Sequence, residues 1–188
     1  MTLKELASEA AVCTKCPLAE GRTTVVFGVG NPNADLMFVG EAPGRDEDLQ
    51  GEPFVGRSGQ LLDRLVFEEM GLTRDQFFIA NTLMCRPPGN RDPRPDETAT
   101  CRPWLDAKLE LIAPKVVVTL GNFATKLLLD TTEGITKVRG RSYPFRDAVL
   151  MPTYHPAAIL RGGGQQMAEM RADLVRAKEA LRERVATS

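Results

Sequence analysis

Four features of this 188-residue sequence have the residue types and spacing to do chemistry: four cysteines, a lone histidine, a carboxamide after an apolar run, and a glycine-rich acidic loop. Cys13 and Cys16 form a close Cys-x-x-C pair, while Cys85 and Cys101 are distant singles. Disulfides are disfavoured in a reducing compartment, so this pattern points to metal or redox chemistry. Zinc ribbons use two close pairs, a template that Cys85 and Cys101 fit poorly. Four thiolates gathered from far apart suit an iron–sulfur cluster at least as well. Unpaired cysteines are also often plain core residues.

His155 is the only histidine, so any imidazole chemistry must come from it. Pro156 keeps the preceding residue extended and suits the first turn of a helix, which places His155 at a helix N-terminus. There it can steady an anion or simply cap the helix. Asn81 ends the run "FFIA", where a core strand would carry another apolar residue. A side-chain amide offers an acceptor and donors enough to read one edge of a nucleobase, and it also forms turns readily. Phe54, in "GEPFVG", could stack on a planar ligand or fold into the core.

The loop "GEAPGRDEDLQGEPFVGRSG", Gly40 to Gly59, follows the apolar run Leu36 to Val39. Glycine-rich loops at strand ends commonly hold phosphate. This one carries Glu41, Asp46, Glu47, Asp48 and Glu52 against Arg45 and Arg57, a poor match to a phosphate.

The elements that must position these residues can be read from hydrophobic spacing. Strands are expected at Thr24 to Phe27, Leu36 to Val39, Phe77 to Asn81, Val116 to Leu120 and Val149 to Met151, each short, apolar and bounded by turn residues. Thr2 and Glu5 form a capping box for a first helix ending near Cys13. Ser58 is the expected N-cap of a helix that Gly71 ends, and Asp96 of another that carries Cys101 and Trp104. A last helix after "GGG" at 162 to 164 puts Met167, Met170, Leu174, Ala177 and Leu181 on one stripe. Alternating strands and helices imply a single α/β domain spanning 1–188, a three-layer α/β/α fold around a mostly parallel sheet of four to five strands. Its sites would lie at the carboxyl ends of the strands.

Composition bounds the partners. A net charge of −1 gives no overall attraction to nucleic acid, so DNA would have to meet local basic patches. "KVRGRSYPFR" offers Lys137, Arg139, Arg141 and Arg146 with no acid, and "CRPPGNRDPR" offers Arg86, Arg91 and Arg94 against Asp92. No apolar run approaches the roughly 20 residues that cross a bilayer, and "MTLKELASEA" lacks signal-peptide order. The expectation is a cytoplasmic protein with no membrane association.

The ordered set "GEAPG", "GEPFVGRSGQLL", "NTLMCRPPGNRDP" and "HPAAIL", together with the four cysteines, resembles the family 4 uracil-DNA glycosylases from about Thr2 to Arg161. The resemblance implies hydrolysis of the N-glycosidic bond of uracil in DNA, leaving an abasic site, by a monomer carrying a [4Fe–4S] cluster. It implies that Cys13, Cys16, Cys85 and Cys101 ligate the cluster in a structural role. His155 would donate to uracil O2, Asn81 would read N3 and O4, and Phe54 would stack on the base. Gly40, Glu41 and Ala42 would line the pocket. Glu41 would serve water or the sugar cation, and Glu47 would be the wall against a 5-methyl group. Lys137, Arg139, Arg141 and Arg91 would meet the DNA backbone.

In relatives with a "GQDPY" type loop, a water-directing aspartate and a thymine-blocking tyrosine stand where this chain has Ala42 and Gly44. The family 4 pattern lacks both as well. Three other readings compete. An electron-transfer or redox-sensing protein leaves Asn81 and His155 without a task. A sibling that captures uracil-DNA through a histidine in the basic loop lacks that histidine between Lys137 and Arg146. The third is a catalytically silent DNA-binding protein.

Overall fold

The computed structural model describes residues 1–188. Six strands form one sheet: β1 Val29–Gly30, β2 Leu36–Gly40, β3 Phe78–Asn81, β4 Val116–Leu120, β5 Tyr143–Phe145 and β6 Ala148–Thr153, in the order β1-β3-β2-β4-β6-β5. The inner four run parallel, and β1 and β5 pair antiparallel at the edges. β2, β3 and β4 are buried throughout, as expected of parallel strands covered on both faces.

Nine α-helices complete the fold: α1 Leu3–Ala10, α2 Leu18–Gly21, α3 Arg45–Gln50, α4 Arg57–Met70, α5 Pro95–Ile112, α6 Asn122–Leu129, α7 Ile135–Val138, α8 Pro156–Leu160 and α9 Gly164–Ala186. Side chains alternate across a strand. Leu36, Phe38, Ile79, Val116 and Val118 therefore face one layer, where they pack with Leu62 and Leu65 of α4 and Met170 and Leu174 of α9. Met37, Val39, Phe78, Ala80 and Val117 face the other, against Leu105 and Leu109 of α5 and Ala124 and Leu128 of α6. The result is three layers, α/β/α. A third cluster, under α1 and α2, holds Leu6, Leu18, Leu83, Met84, Cys85 and Trp104.

The sheet has six strands rather than four or five. Thr24 to Phe27 is not a strand: it crosses the third cluster, with Val26 N–H donating to Met84 O (2.7 Å), and pairing begins only at Val29. The extra strand β5 lies inside the basic run. Pro144, which has no N–H to donate, fits this edge position.

Helix boundaries follow local chemistry. The Thr2 capping box forms, with Glu5 N–H donating to Thr2 Oγ1 and Thr2 N–H to Glu5 Oε2, but α1 ends at Ala10, ahead of Cys13. The N-cap of α4 is Gly56 rather than Ser58, and its end at left-handed Gly71 is as expected. Arg94 rather than Asp96 caps α5, because Glu97 reaches back to the Arg94 N–H (2.9 Å) and Pro95 fills the first turn. The helix runs on through Pro103, which lies on its exposed side.

Candidate active site

The carboxyl ends of the parallel strands deliver the polar residues to one edge of the sheet. Gly40 and Asn81 are register partners at the ends of β2 and β3. Asn81 is buried, and its Oδ1 has no hydrogen-bond partner. A buried unpaired acceptor costs roughly 1–3 kcal/mol, so it marks a place where a donor is expected to arrive. A Cβ on Gly40 would come within 2.5 Å of both Asn81 Oδ1 and Phe54 Cζ. Only glycine leaves that space open.

Phe54 is buried with a left-handed backbone, φ 55°, uncommon for a bulky residue. Two neighbours hold it there. Arg74 donates to Pro53 O (2.7 Å) and to Phe54 O, and its Nε is anchored on Asp63 (2.7 Å). Gly59 in α4 packs so closely that a Cβ would lie 1.8 Å from Phe54 O.

The Phe54 ring lies 5.5 Å, centroid to centroid, from the His155 ring at an interplanar angle of 30°. His155 caps α8, its Nδ1 accepting from Ala157 N–H at 3.0 Å. An accepting Nδ1 puts the imidazole proton on Nε2, which is left to donate. Burial, with a smaller push from the Arg161 cation, lowers the imidazole pKa to about 4, so the ring is neutral at pH 7.

Glu41 follows β2, with its carbonyl taken by Leu83 N–H (3.1 Å) and Thr82 Oγ1 (2.6 Å). Its carboxyl is raised above the ordinary range by burial and by Asp92, with Arg161 opposing. Arg161 and Asp92 thus belong to the electrostatics of this site. The sequence reading named neither as a site residue. Ala42 turns its side chain toward the third cluster, so only its backbone is free to serve the site.

Glu47, the expected wall against a 5-methyl group, is held by backbone amides. Its Oε1 accepts from Gly44 N–H (3.0 Å) and its Oε2 from Val55 N–H (3.0 Å) and Gly56 N–H (2.9 Å). The carboxylate clamps the loop after β2 to the loop carrying Phe54.

The basic segments divide. Lys137 and Arg141 are exposed. Arg139 is not a free phosphate ligand: its guanidinium donates to both oxygens of buried Asp173 on α9 (2.9 and 2.6 Å) and lies 3.7 Å from Glu169. Arg91 is likewise committed, with a bidentate pair to buried Glu97 (2.8 Å each). Both cations complete internal pairs whose acids stand elsewhere in the sequence.

The four cysteines line one cavity with Leu18, Leu83, Met84, Trp104 and Arg22. All four are free thiols. Burial pushes the Cys85 thiol up to about 11 and raises that of Cys101, which makes them poor redox nucleophiles as thiols. Arg22 donates to Cys13 O and, over 3.6 Å, to Cys85 Sγ. No three His, Cys, Asp or Glu side chains gather closely enough to hold a single metal ion.

Residues 27–181 match the family model described as the uracil DNA glycosylase superfamily. The chain belongs to that superfamily. Within it, relatives named type-4 uracil-DNA glycosylase match most of the chain. The one from Sulfurisphaera tokodaii is 47% identical, over 85% of this chain and 76% of its own. That from Saccharolobus solfataricus is 45% identical, over 82% and 76%. That from Thermotoga maritima is 44% identical, over 88% and 87%. The chain is a member of the type-4 family.

Proposed function

We propose that this protein excises uracil from DNA by hydrolysing its N-glycosidic bond, the first step of base excision repair. The observation that carries the reading is Asn81 Oδ1, buried without a partner beside Gly40 and Phe54, with the neutral His155 ring 5.5 Å from that of Phe54.

A uracil inside a duplex must be extruded to be reached, at roughly a few kcal/mol of lost stacking and pairing. Phe54 receives the base face. Asn81 Oδ1 accepts from uracil N3–H and its amide donates to O4. Cytosine presents an acceptor at the first position and donors at the second, so it would leave buried groups unpaired. As the bond to deoxyribose breaks, negative charge builds on the base. His155 Nε2–H faces uracil O2 and strengthens its hydrogen bond as that charge grows, aided by the helix end that His155 caps. Glu41 serves the positive sugar or the attacking water. Glu47, held by three amides, forms a rigid rather than adjustable wall toward a 5-methyl group.

Lys137 and Arg141 meet phosphates, which position the protein without reading sequence. The enzyme works as a cytoplasmic monomer on uracil-containing DNA.

The four thiols are the proposed ligands of a [4Fe–4S] cluster. An all-sulfur donor set lining one largely apolar cavity suits a cluster that distributes its ligands over several irons. When bound, the cluster supplies iron–thiolate crosslinks between the Cys13 segment, the loop after β3 and α5.

A single-turnover assay on a uracil-containing oligonucleotide, followed by alkaline cleavage, tests the activity. Strand scission that depends on both uracil and protein is expected. Intact deoxyuridine in both single and double strands would refute it.

A further inference from the structure

Lys108 is a fully buried lysine whose ammonium has no hydrogen-bond partner. Its Nζ lies 4.3 Å from the centroid of the Phe27 ring, and Phe27 packs against the cluster of residues that holds Cys85 and Trp104. Removing an ammonium from water costs more than one aromatic face returns. Something else must favour the charge.

On α5, Lys108 stands two helical turns beyond Cys101, with Trp104 between them on the same side. Long helical side chains lean toward the helix N-terminus, here toward Cys101. Trp104 lines the thiol cavity, and its Nε1 is also buried without a partner. Of the three buried side-chain polar atoms without a partner, one is Asn81 Oδ1 and the other two lie on this stripe. Burial lowers the Lys108 pKa to about 8, and Cys101 is the group that opposes the shift.

We propose that Lys108 is the buried counter-cation of the four-thiolate cluster, compensating its negative charge from behind Cys101. The inference rests on the iron–sulfur reading above. Four thiolates outweigh the positive charge of an oxidised [4Fe–4S] core. In a low-dielectric pocket, a fixed cation nearby stabilises the loaded state and, still more, the reduced one.

The test compares wild-type holoprotein with Lys108→Met, which keeps the length and removes the charge. Iron and sulfide analysis of the wild type comes first; protein without a cluster refutes the cluster reading and this proposal with it. With the cluster present, Lys108→Met is expected to lose iron to a chelator roughly tenfold faster. Its cluster midpoint potential should shift to more negative values. Phe27→Leu, which keeps the cation, should leave the potential unchanged. Equal potentials in Lys108→Met and wild type, or the same negative shift in Phe27→Leu, would overturn the proposal. If Lys108→Met does not accumulate as holoprotein, Lys108→Arg must restore iron content; an equally iron-poor arginine variant counts against the charge.

Discussion

Gly40 and Asn81 face each other across the β2–β3 ladder, and a single Cβ on Gly40 would come within 2.5 Å of the unpartnered Asn81 Oδ1. Gly40→Ala should therefore fill the space meant for the base edge and tilt Phe54 as well. Single-turnover uracil release should fall by roughly 10²-fold. Binding to undamaged DNA, read by fluorescence anisotropy, should not change.

Phe54 depends on a remote support. Arg74→Ala leaves the Pro53 and Phe54 carbonyls without their guanidinium and frees a left-handed turn to relax. A stability loss of about 1–2 kcal/mol is expected by denaturant titration. Activity should fall further than that loss explains, because the stacking face moves. Unchanged kcat/KM in the folded variant would show that Phe54 holds its place without Arg74.

His155 sets a pH signature. Its folded pKa near 4 lies below the ordinary 6.5, so the unfolded chain takes up a proton first as pH falls. Its contribution to stability is complete above pH 6.5 and is lost between about 6.5 and 4. The single-turnover rate should show no acid limb at the ordinary histidine pKa. A limb from Glu41 should appear above the ordinary carboxylate value of 4.5, because burial raises that group, and Glu41→Gln should remove it. A limb centred at 6.5 and lost in His155→Ala would contradict the neutral-donor assignment.

The cations of the basic run should separate by experiment. Lys137→Ala and Arg141→Ala should each weaken DNA binding and lower its salt slope by about one unit, with no effect on base choice. Arg139→Ala should instead destabilise the fold by about 3 kcal/mol, because Asp173 stays buried with Thr153 and Arg176 as its remaining partners. Its salt slope should stay near that of the wild type.

What the sequence revealed depended on how locally each property is encoded. The parallel core strands, the Thr2 cap and the Gly71 stop rest on short-range spacing, and they lie where that spacing puts them. Asn81 ends β3 and His155 follows β6, at the carboxyl edge of the parallel strands, whereas Phe54 comes in from the loop before α4. The exceptions involve partners remote in the chain. Arg139 looked free because Asp173 comes 34 residues later, on another helix. Arg91 has Asp92 beside it in sequence, but its partner Glu97 lies six residues on. β5 was hidden because a charged segment with a proline resembles a loop until β6 offers it an edge. Gly59 and Arg74 carry no chemical signal, since their importance comes only from the backbone they support. The buried Lys108 carried one faint sign, a lysine on the apolar side of a helix two turns from a cysteine.

The central claim is that Asn81 reads the edge of an everted uracil beside His155. It is tested most directly by single-turnover base release from matched oligonucleotides carrying uracil or cytosine, with wild type, Asn81→Ala and His155→Ala. The account predicts release of uracil and not cytosine by the wild type, with each substitution slowing uracil release by roughly 10²-fold or more while the fold is retained. Uracil released by Asn81→Ala at the wild-type rate, or cytosine released by the wild type as readily as uracil, would contradict it.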